Sequence, residues 1–316
     1  MGRHPGLGAP HVLVTGAAGF IGARVARAAA RHAGRLTLTS YRRPPEPVPG
    51  AVRTVRADLA DPASPRGLCD GVDVLLHCAS QIGGTPEANE AVNARGTAAL
   101  VAEARRAGVD RIVYVSTASV YGRGTFRRAH PGQLARRPQS PTSRTRAAAE
   151  DAVLAAGGIV VRPHLLYGPG DEWVIPGLGR LLRDLGGTPT GWTSRHSVIA
   201  VTELAALLVG VGLAPRERLS ASVYHAAHPA PAPASALLEA AAGCLAAPPP
   251  RRELDVAEAR ELLAGDAAAL HTLDLLATDH WFDSAPVWAD LGRLPGPGWD
   301  ADFPRMKEWY PAPAAA

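Results

Sequence analysis

The stretch "HVLVTGAAGFIGARVARAAA", His11 to Ala30, decides the fold. Its opening, His11 to Gly16, is a short apolar run of the kind that forms a buried strand, and an Ala-rich, Arg-studded helical stretch begins near Gly19. Gly16, Gly19 and Gly22 fall between the two and at the opening of the helix. Glycine permits a tight turn and close backbone approach, and a helix N-terminus offers unpaired N–H groups. The pattern therefore predicts a turn that cradles a pyrophosphate.

Working outward, the same alternation of short apolar runs and helical stretches continues. Strands are expected at Arg35–Ser40, Val52–Asp58, Val72–Ala79, Arg111–Thr117 and Gly158–His164, with further helices beginning near Pro62, Asn89 and Pro141. This is the signature of an α/β protein built on a Rossmann-type, doubly wound parallel sheet. Beyond Gly168 the pattern loosens, "SVIAVTELAALLVGVGL" returns to strand then helix, and "SVYHAAHP" gives one more strand. Pro-rich breaks at Pro229–Pro233 and Pro248–Pro250 punctuate the remainder. The expected organisation is a dinucleotide-binding domain from 9–168 and 194–228, and a smaller C-terminal substrate-binding lobe from 169–193 and 229–316.

A chain of 316 residues with 47% hydrophobic content can bury a sizeable core. No uninterrupted apolar run reaches membrane-spanning length and the N-terminus lacks a signal-peptide pattern, so a soluble, cytoplasmic protein is expected. Cys69, Cys78 and Cys244 are too scattered for a disulfide framework or a thiolate zinc site, and the histidines show no tight ligand spacing; no metal is expected. The net charge of +4 comes from scattered arginines without a basic stripe, which argues against nucleic-acid binding. Lys307 is the only lysine in the chain, so a Lys-to-Arg departure from any motif carries little weight.

At the end of the second strand the sequence reads "LTLTSYRRPPEP", with Ser40, Tyr41, Arg42 and Arg43 where a site preferring NAD carries a carboxylate for the ribose hydroxyls. An Arg guanidinium offers a planar fork suited to a 2′-phosphate, so NADPH is the expected cofactor.

The motifs "TGAAGFIG", "ADLAD", "LHCAS", "NARGT", "VYVSTASVYG", "RPHLLYGPG" and "VIAVTELA" together resemble the extended short-chain dehydrogenase/reductase family, which includes nucleotide-sugar epimerases and dehydratases. The resemblance covers roughly residues 11 to 228, and "DLGRLPGPGWDADFPRMKEWYP" resembles its closing helix. It implies that the turn from Gly16 through Gly19, Phe20, Ile21 and Gly22 holds the pyrophosphate and that Asp58 with Leu59 holds the adenine. It further implies that Ala79 and Ser80 border the cofactor and that the backbone of Pro163, His164 and Leu165 faces the nicotinamide carboxamide. Thr117, beside Ser116, would be the active-site hydroxyl.

The family's Tyr-x-x-x-Lys is where the chain departs. Aligning "SPTSRTRAAAE" on the family pattern leaves Thr142 at the tyrosine and Arg146 at the lysine, on one helix face, with Ser140 as N-cap and Pro141 at the first helical position. Arg146 can still hydrogen-bond a ribose hydroxyl. Thr142 can donate a hydrogen bond but cannot readily release a proton, because an aliphatic hydroxyl is far less acidic than a phenol of pKa about 10. Another side chain could serve as acid, with Tyr121, His164 and His196 as candidates, or the substrate could bring its own phenol beside the ketone. The second option points to aromatic polyketides of the angucyclinone type, and the chain resembles the atypical members of the family that reduce such ketones without the tyrosine.

The expectation is an NADPH-dependent ketoreductase of antibiotic biosynthesis acting on a small-molecule aromatic ketone, with the hydride from the nicotinamide and the proton from the substrate phenol or solvent rather than an enzyme tyrosine. Thr117, Ser116, Thr142 and Arg146 would form its catalytic set. Trp173, Trp192 and Trp281 are candidates for packing a flat ligand, and the basic loop with Arg123, Arg127 and Arg128 is a solvated flap. The alternatives are an epimerase or dehydratase acting on a nucleotide sugar, and a regulator that binds NADP without turnover.

Overall fold

The computed structural model describes residues 8–50, 52–189, 192–244 and 253–310. The strand expected at His11 is β1 (His11–Thr15), every residue of it buried, and it leads through the glycine turn into α1 (Phe20–Ala29). β2 (Arg35–Ser40), β3 (Val52–Arg56), β4 (Val74–His77), α2 (Thr97–Ala107), β5 (Arg111–Val115), α3 (Pro141–Ala155), β6 (Ile159–Pro163), α4 (Val201–Leu213) and β7 (Val223–Ala226) follow. The seven strands form one sheet in the order β7-β6-β5-β4-β1-β2-β3, with every pairing parallel. From β1 the chain runs outward one way to β2 and β3 and then the other way from β4. The strand order therefore reverses between β1 and β4, which is where an open α/β sheet leaves a crevice at its carboxyl edge.

Alternation along the strands divides the core. Val12, Val14, Leu36, Leu38 and Val161 pack on one face with Val25 of α1 and Leu204 and Leu208 of α4. Leu13, Leu75, Tyr114 and Val160 pack on the other with Leu100 of α2 and Val153 of α3. The N-terminus of α3 is fixed by a reciprocal cap: Ser140 Oγ accepts from Ser143 N at 3.0 Å, and Ser143 Oγ accepts from Ser140 N at 3.0 Å.

A separate core gathers Tyr167 of the strand Leu165–Tyr167 with Ile175, Leu181, Leu237, Leu273 and Phe303 from the helices Val174–Leu185, Ala234–Cys244, Ala267–Leu276 and Trp299–Met306. A small sheet in the order Ala232–Pro233, Arg195–His196, His280–Phe282, Phe126–Ala129 joins this part to the loop that follows β5.

Three expectations need correction or restriction. No helix forms near Pro62, because Asp58 Oδ1 accepts from Ala60 N, Asp61 Oδ1 accepts from Ala63 N, and Ser64 Oγ accepts from Asp58 N, each at 2.9 Å. These local bonds hold the segment in turns. The 229–316 stretch is not wholly lobe, since Val287 and Trp288 pack into the core of the main sheet. Pro248–Pro250 lies outside the described residues. Among the described residues no helix is long and apolar enough to cross a membrane.

Candidate functional site

The crevice between β1 and β4 opens into a cleft of about 450 Å³. Gly16 stands in it at φ +66°, and a Cβ there would lie 2.7 Å from the Ala79 Cα. A Cβ on Gly22 would lie 2.1 Å from the Gly16 carbonyl oxygen, so Gly22 lets the helix pack beneath the turn. Helix α1 starts after Gly19 with no side-chain cap and no acidic residue in its first turn. Its N–H groups and the space a Cβ would fill match an anionic pyrophosphate.

The cleft continues past Arg42 and Arg43, both exposed, to Asp58 and Leu59, and is bounded by Ala79 and Ser80. Among the described residues that line it Asp58 is the only carboxylate, and one of its oxygens is engaged by Ala60 N. No carboxylate at the end of β2 would repel a 2′-phosphate. Arg56, not singled out from the sequence, sits over the Tyr41 ring at 5.3 Å, while Arg42 is 6.0 Å from the same ring. The remaining predicted cofactor residues lie elsewhere. The Ile21 side chain packs on the main core, a Cβ on Gly170 would meet the Phe20 ring at 3.4 Å, Pro163 is buried in β6, and Leu165 packs on the second core. Backbone contacts from these positions are independent of where the side chains point.

A second cavity, of about 310 Å³, lies between the Ala118–Gly124 turn, the start of α3 and the helix Ala267–Leu276. Ser119, Ser143, His164 and His280 line it, with Arg123, Arg260 and Asp274 among its other lining residues. Asp274 accepts from Arg260 at 2.9 Å and lies 4.0 Å from Arg123.

The catalytic candidates divide between these spaces and the core. Thr117 Oγ1 donates to Ser119 Oγ at 3.1 Å and accepts from Ser119 N at 3.1 Å, which ties it to the second cavity. Arg146 donates to Ser80 Oγ at 3.2 Å and to the Val115 carbonyl, which ties it to the cleft, and its Nε has no partner. Thr142 Oγ1 donates to Asn89 Oδ1 at 2.9 Å. Asn93, within a π-helical turn Glu90–Gly96, accepts from Ser80 Oγ at 3.2 Å and Gln81 N at 2.7 Å, and donates to Thr145 Oγ1 at 3.2 Å. It fastens the edge of the cleft to α3. Its place in "NARGT" was visible in the sequence, but its bonding was not.

Ser116 does not join the set, because it is buried and donates its hydroxyl to Glu150. Tyr121 does not supply the acid either. Arg162 donates to its oxygen at 2.7 Å, its ring oxygen and His225 Nε2 are 2.6 Å apart, and it lines neither space. Burial raises its pKa above the ordinary phenol value, against the lowering effect of Arg162. Both residues belong to a buried network in which Glu150 also accepts from Arg162 at 2.8 and 2.5 Å and from Arg136 at 3.1 Å. His196 is fully buried, with burial and then the charge of His280 lowering its pKa to about 4. His164 is lowered well below 6.5, first by burial and then by His196, His280 and His225. Neither is an imidazolium acid at neutral pH.

Of the tryptophans, Trp192 lies in the second core, Trp173 is 57% exposed and Trp281 is half-buried on its strand. None of the three lines either space. The flap residue Arg127 is paired at 2.6 Å with Asp279, which precedes the strand His280–Phe282. Among the described residues no cluster of His, Cys, Asp or Glu has the arrangement of a metal site.

The model of the NAD dependent epimerase/dehydratase family matches residues 12–200. The chain is 27% identical over 327 residues to a 2-alkyl-3-oxoalkanoate reductase of Stenotrophomonas maltophilia, covering 94% of this chain and 98% of that one. It is 35% identical over 205 residues to a ceramide reductase of Caulobacter vibrioides, covering 63% and 59%. Among solved structures it is similar to the Bordetella bronchiseptica enzyme WbmH in complex with NAD+, with a TM-score of 0.72 at 19% identity, over 96% of this chain and 97% of that one. It is also similar to the UDP-glucuronic acid 4-epimerase of Bacillus cereus in complex with NAD, with a TM-score of 0.73 at 17% identity, over 95% and 98%. These two likenesses show the fold.

Proposed function

The chain belongs to the NAD dependent epimerase/dehydratase family and is an NAD(P)-dependent oxidoreductase, and from that premise we propose that it is an NADPH-dependent ketoreductase whose substrate carries its own proton donor. The observation that carries this reading is Thr142 bonded to Asn89 on a helix, α3, that has neither tyrosine nor lysine. The resemblance to the family's atypical members that lack the tyrosine suggests the substrate class: an angucyclinone-type aromatic polyketide with a phenol beside the ketone. In this reading residues 9–168 and 194–228 bind the dinucleotide, and the rest, apart from the segment at Val287 and Trp288, shapes the substrate cavity.

A bound nicotinamide supplies the hydride. The Gly16–Gly22 turn and the open N-terminus of α1 hold the pyrophosphate, Asp58 and Leu59 the adenosine, and Arg42 and Arg43 the 2′-phosphate that selects NADPH. Arg146, with one donor left unpartnered, serves the ribose and contributes positive charge beside Ser80. Thr117 and Thr142 orient the carbonyl once its oxygen replaces Ser119 Oγ and Asn89 Oδ1 as the acceptor of their hydroxyl protons. The proton comes from the adjacent phenol within the same molecule, where enforced proximity favours the transfer.

A second reading has support from the relative in Stenotrophomonas maltophilia, which is similar along almost the whole chain: an aliphatic 3-oxoalkanoate in place of the aromatic ketone. An epimerase or dehydratase acting on a nucleotide sugar fits less well, since such chemistry begins by removing a hydroxyl proton and α3 offers no phenol to take it. The test is NADPH oxidation with angucyclinone ketones bearing a free neighbouring phenol, their O-methyl ethers, and a 2-alkyl-3-oxoalkanoate. Turnover of the free phenols alone supports the proposal. Turnover of the oxoalkanoate alone supports the second reading, and tight NADPH binding without any oxidation favours a regulator.

A further inference from the structure

His164, His196 and His280 come from three distant points of the chain and stack with nearly parallel rings, their centroids 5.6 to 6.1 Å apart. Parallel rings do not converge on a metal ion. Two of the three are anchored: His280 Nδ1 lies 2.9 Å from the Thr278 carbonyl and His196 Nε2 lies 3.3 Å from the Leu276 carbonyl. A carbonyl only accepts, so each of these nitrogens carries the proton. His196 Nδ1 and His164 Nε2 are both buried without a partner, but among the described residues only His164 of the three makes no hydrogen bond at either ring nitrogen, and it lines the 310 Å³ cavity. An imidazole left wholly unbonded is costly unless something else completes it.

The chemistry of the cavity narrows what completes it. The rings around His164 are imidazoles held neutral by burial, which offer an anion no countercharge. At the rim both Arg260 and Arg123 face Asp274. A neutral imidazole has one donor and one acceptor, which matches a neutral hydroxyl. Accordingly, we propose that His164 is a specificity-determining residue that hydrogen-bonds a neutral hydroxyl group of the ligand in this cavity. The inference rests on the ketoreductase reading only in taking that cavity as the substrate's. It adds what the reading lacked, a group that distinguishes a hydroxylated ketone from its bare or etherified counterpart.

The probes are 8-hydroxy-1-tetralone, 8-methoxy-1-tetralone and 1-tetralone, and the readout is their affinity for the NADP+-saturated protein by calorimetry, where no turnover occurs. The wild type is expected to bind the hydroxy ketone about tenfold more tightly than the other two. His164→Phe keeps a ring and removes both nitrogens. It is expected to abolish the preference while leaving 1-tetralone affinity within about threefold. His164→Gln, which retains a donor and an acceptor, restores part of it and controls for misfolding, as does an unchanged NADP+ affinity. A wild type without the preference, or a preference that survives in His164→Phe, overturns the proposal. NADPH oxidation is measured separately. The binding pattern without oxidation sinks the ketoreductase reading and leaves His164 its role, whereas oxidation with the preference intact in His164→Phe does the reverse.

Discussion

Thr142 gives its hydroxyl proton to Asn89 Oδ1 at 2.9 Å, across the gap between α3 and the helical turn Pro86–Asn89. The bond defines what this position can contribute. A hydroxyl so held orients a neighbour, and the rate effect of losing it is that of one neutral hydrogen bond. Thr142→Val is therefore expected to lower kcat on a free-phenol ketone by about two- to tenfold. Removal of a general acid would cost ~10²–10⁴-fold. Steady-state kinetics of the variant separates the two.

Arg42 and Arg43 stand exposed at the adenosine end of the cleft. Replacing both by Ala is expected to weaken NADPH binding by about ten- to a hundredfold, because charge-assisted bonds to a phosphate are lost. NADH affinity is expected to stay within about threefold. Fluorescence titration of both cofactors checks this, and equal losses for the two would remove the arginines from the 2′-phosphate.

Gly22→Ala places a methyl group against the Gly16 carbonyl, 2.1 Å from its oxygen. Backbone cannot move aside cheaply there, so the turn deforms. The expected result is loss of dinucleotide binding by calorimetry together with a lower melting temperature.

The pair Arg162 and Glu150 is buried and bidentate, at 2.8 and 2.5 Å. Glu150→Leu leaves the guanidinium buried without its carboxylate, and a loss of about 3–5 kcal/mol is expected in urea denaturation. Arg162→Met leaves Glu150 with Arg136 and Ser116 as partners and is expected to cost less, and the double variant recovers much of the Glu150→Leu loss.

Acid should destabilise this fold earlier than carboxylate titration alone would. Burial first, and Arg146 or Arg162 second, depress His77 and His225 to about 3, and burial depresses His196 to about 4. Their folded values lie below the unfolded value near 6.5, so the unfolded chain binds more protons in this range. The stability these histidines confer is complete above about pH 6.5 and is lost as pH falls toward 4 and then 3. Three such groups give a slope approaching ~4 kcal/mol per pH unit, which urea midpoints between pH 7 and 4.5 would measure.

The sheet and the glycine turn were legible because their signals are local. The predicted strand Arg35–Ser40 and the helix start at Pro141 have the bounds expected of them, the one from its apolar run and the other from Ser140 and Pro141. The helix near Pro62 was misread because Asp58, Asp61 and Ser64 satisfy backbone groups with their side chains, a competition that hydrophobic periodicity does not register. The candidate site was legible only where a motif fixes backbone geometry. Ser116 and Tyr121 sit in the expected motif yet turn into the Glu150 network, because the direction of a side chain at a strand end depends on partners far along the chain. The stack of His164, His196 and His280 had no sequence signal at all, since tertiary packing alone brings these residues together.

The account turns on where the proton originates, and one comparison tests it most directly. NADPH oxidation is followed with an angucyclinone ketone bearing a free neighbouring phenol and with its O-methyl ether, under identical conditions. The account predicts turnover of the phenol at least ~10²-fold faster than that of the ether, the factor a positioned acid supplies. Equal rates would contradict it and place the proton donor in the protein or the solvent.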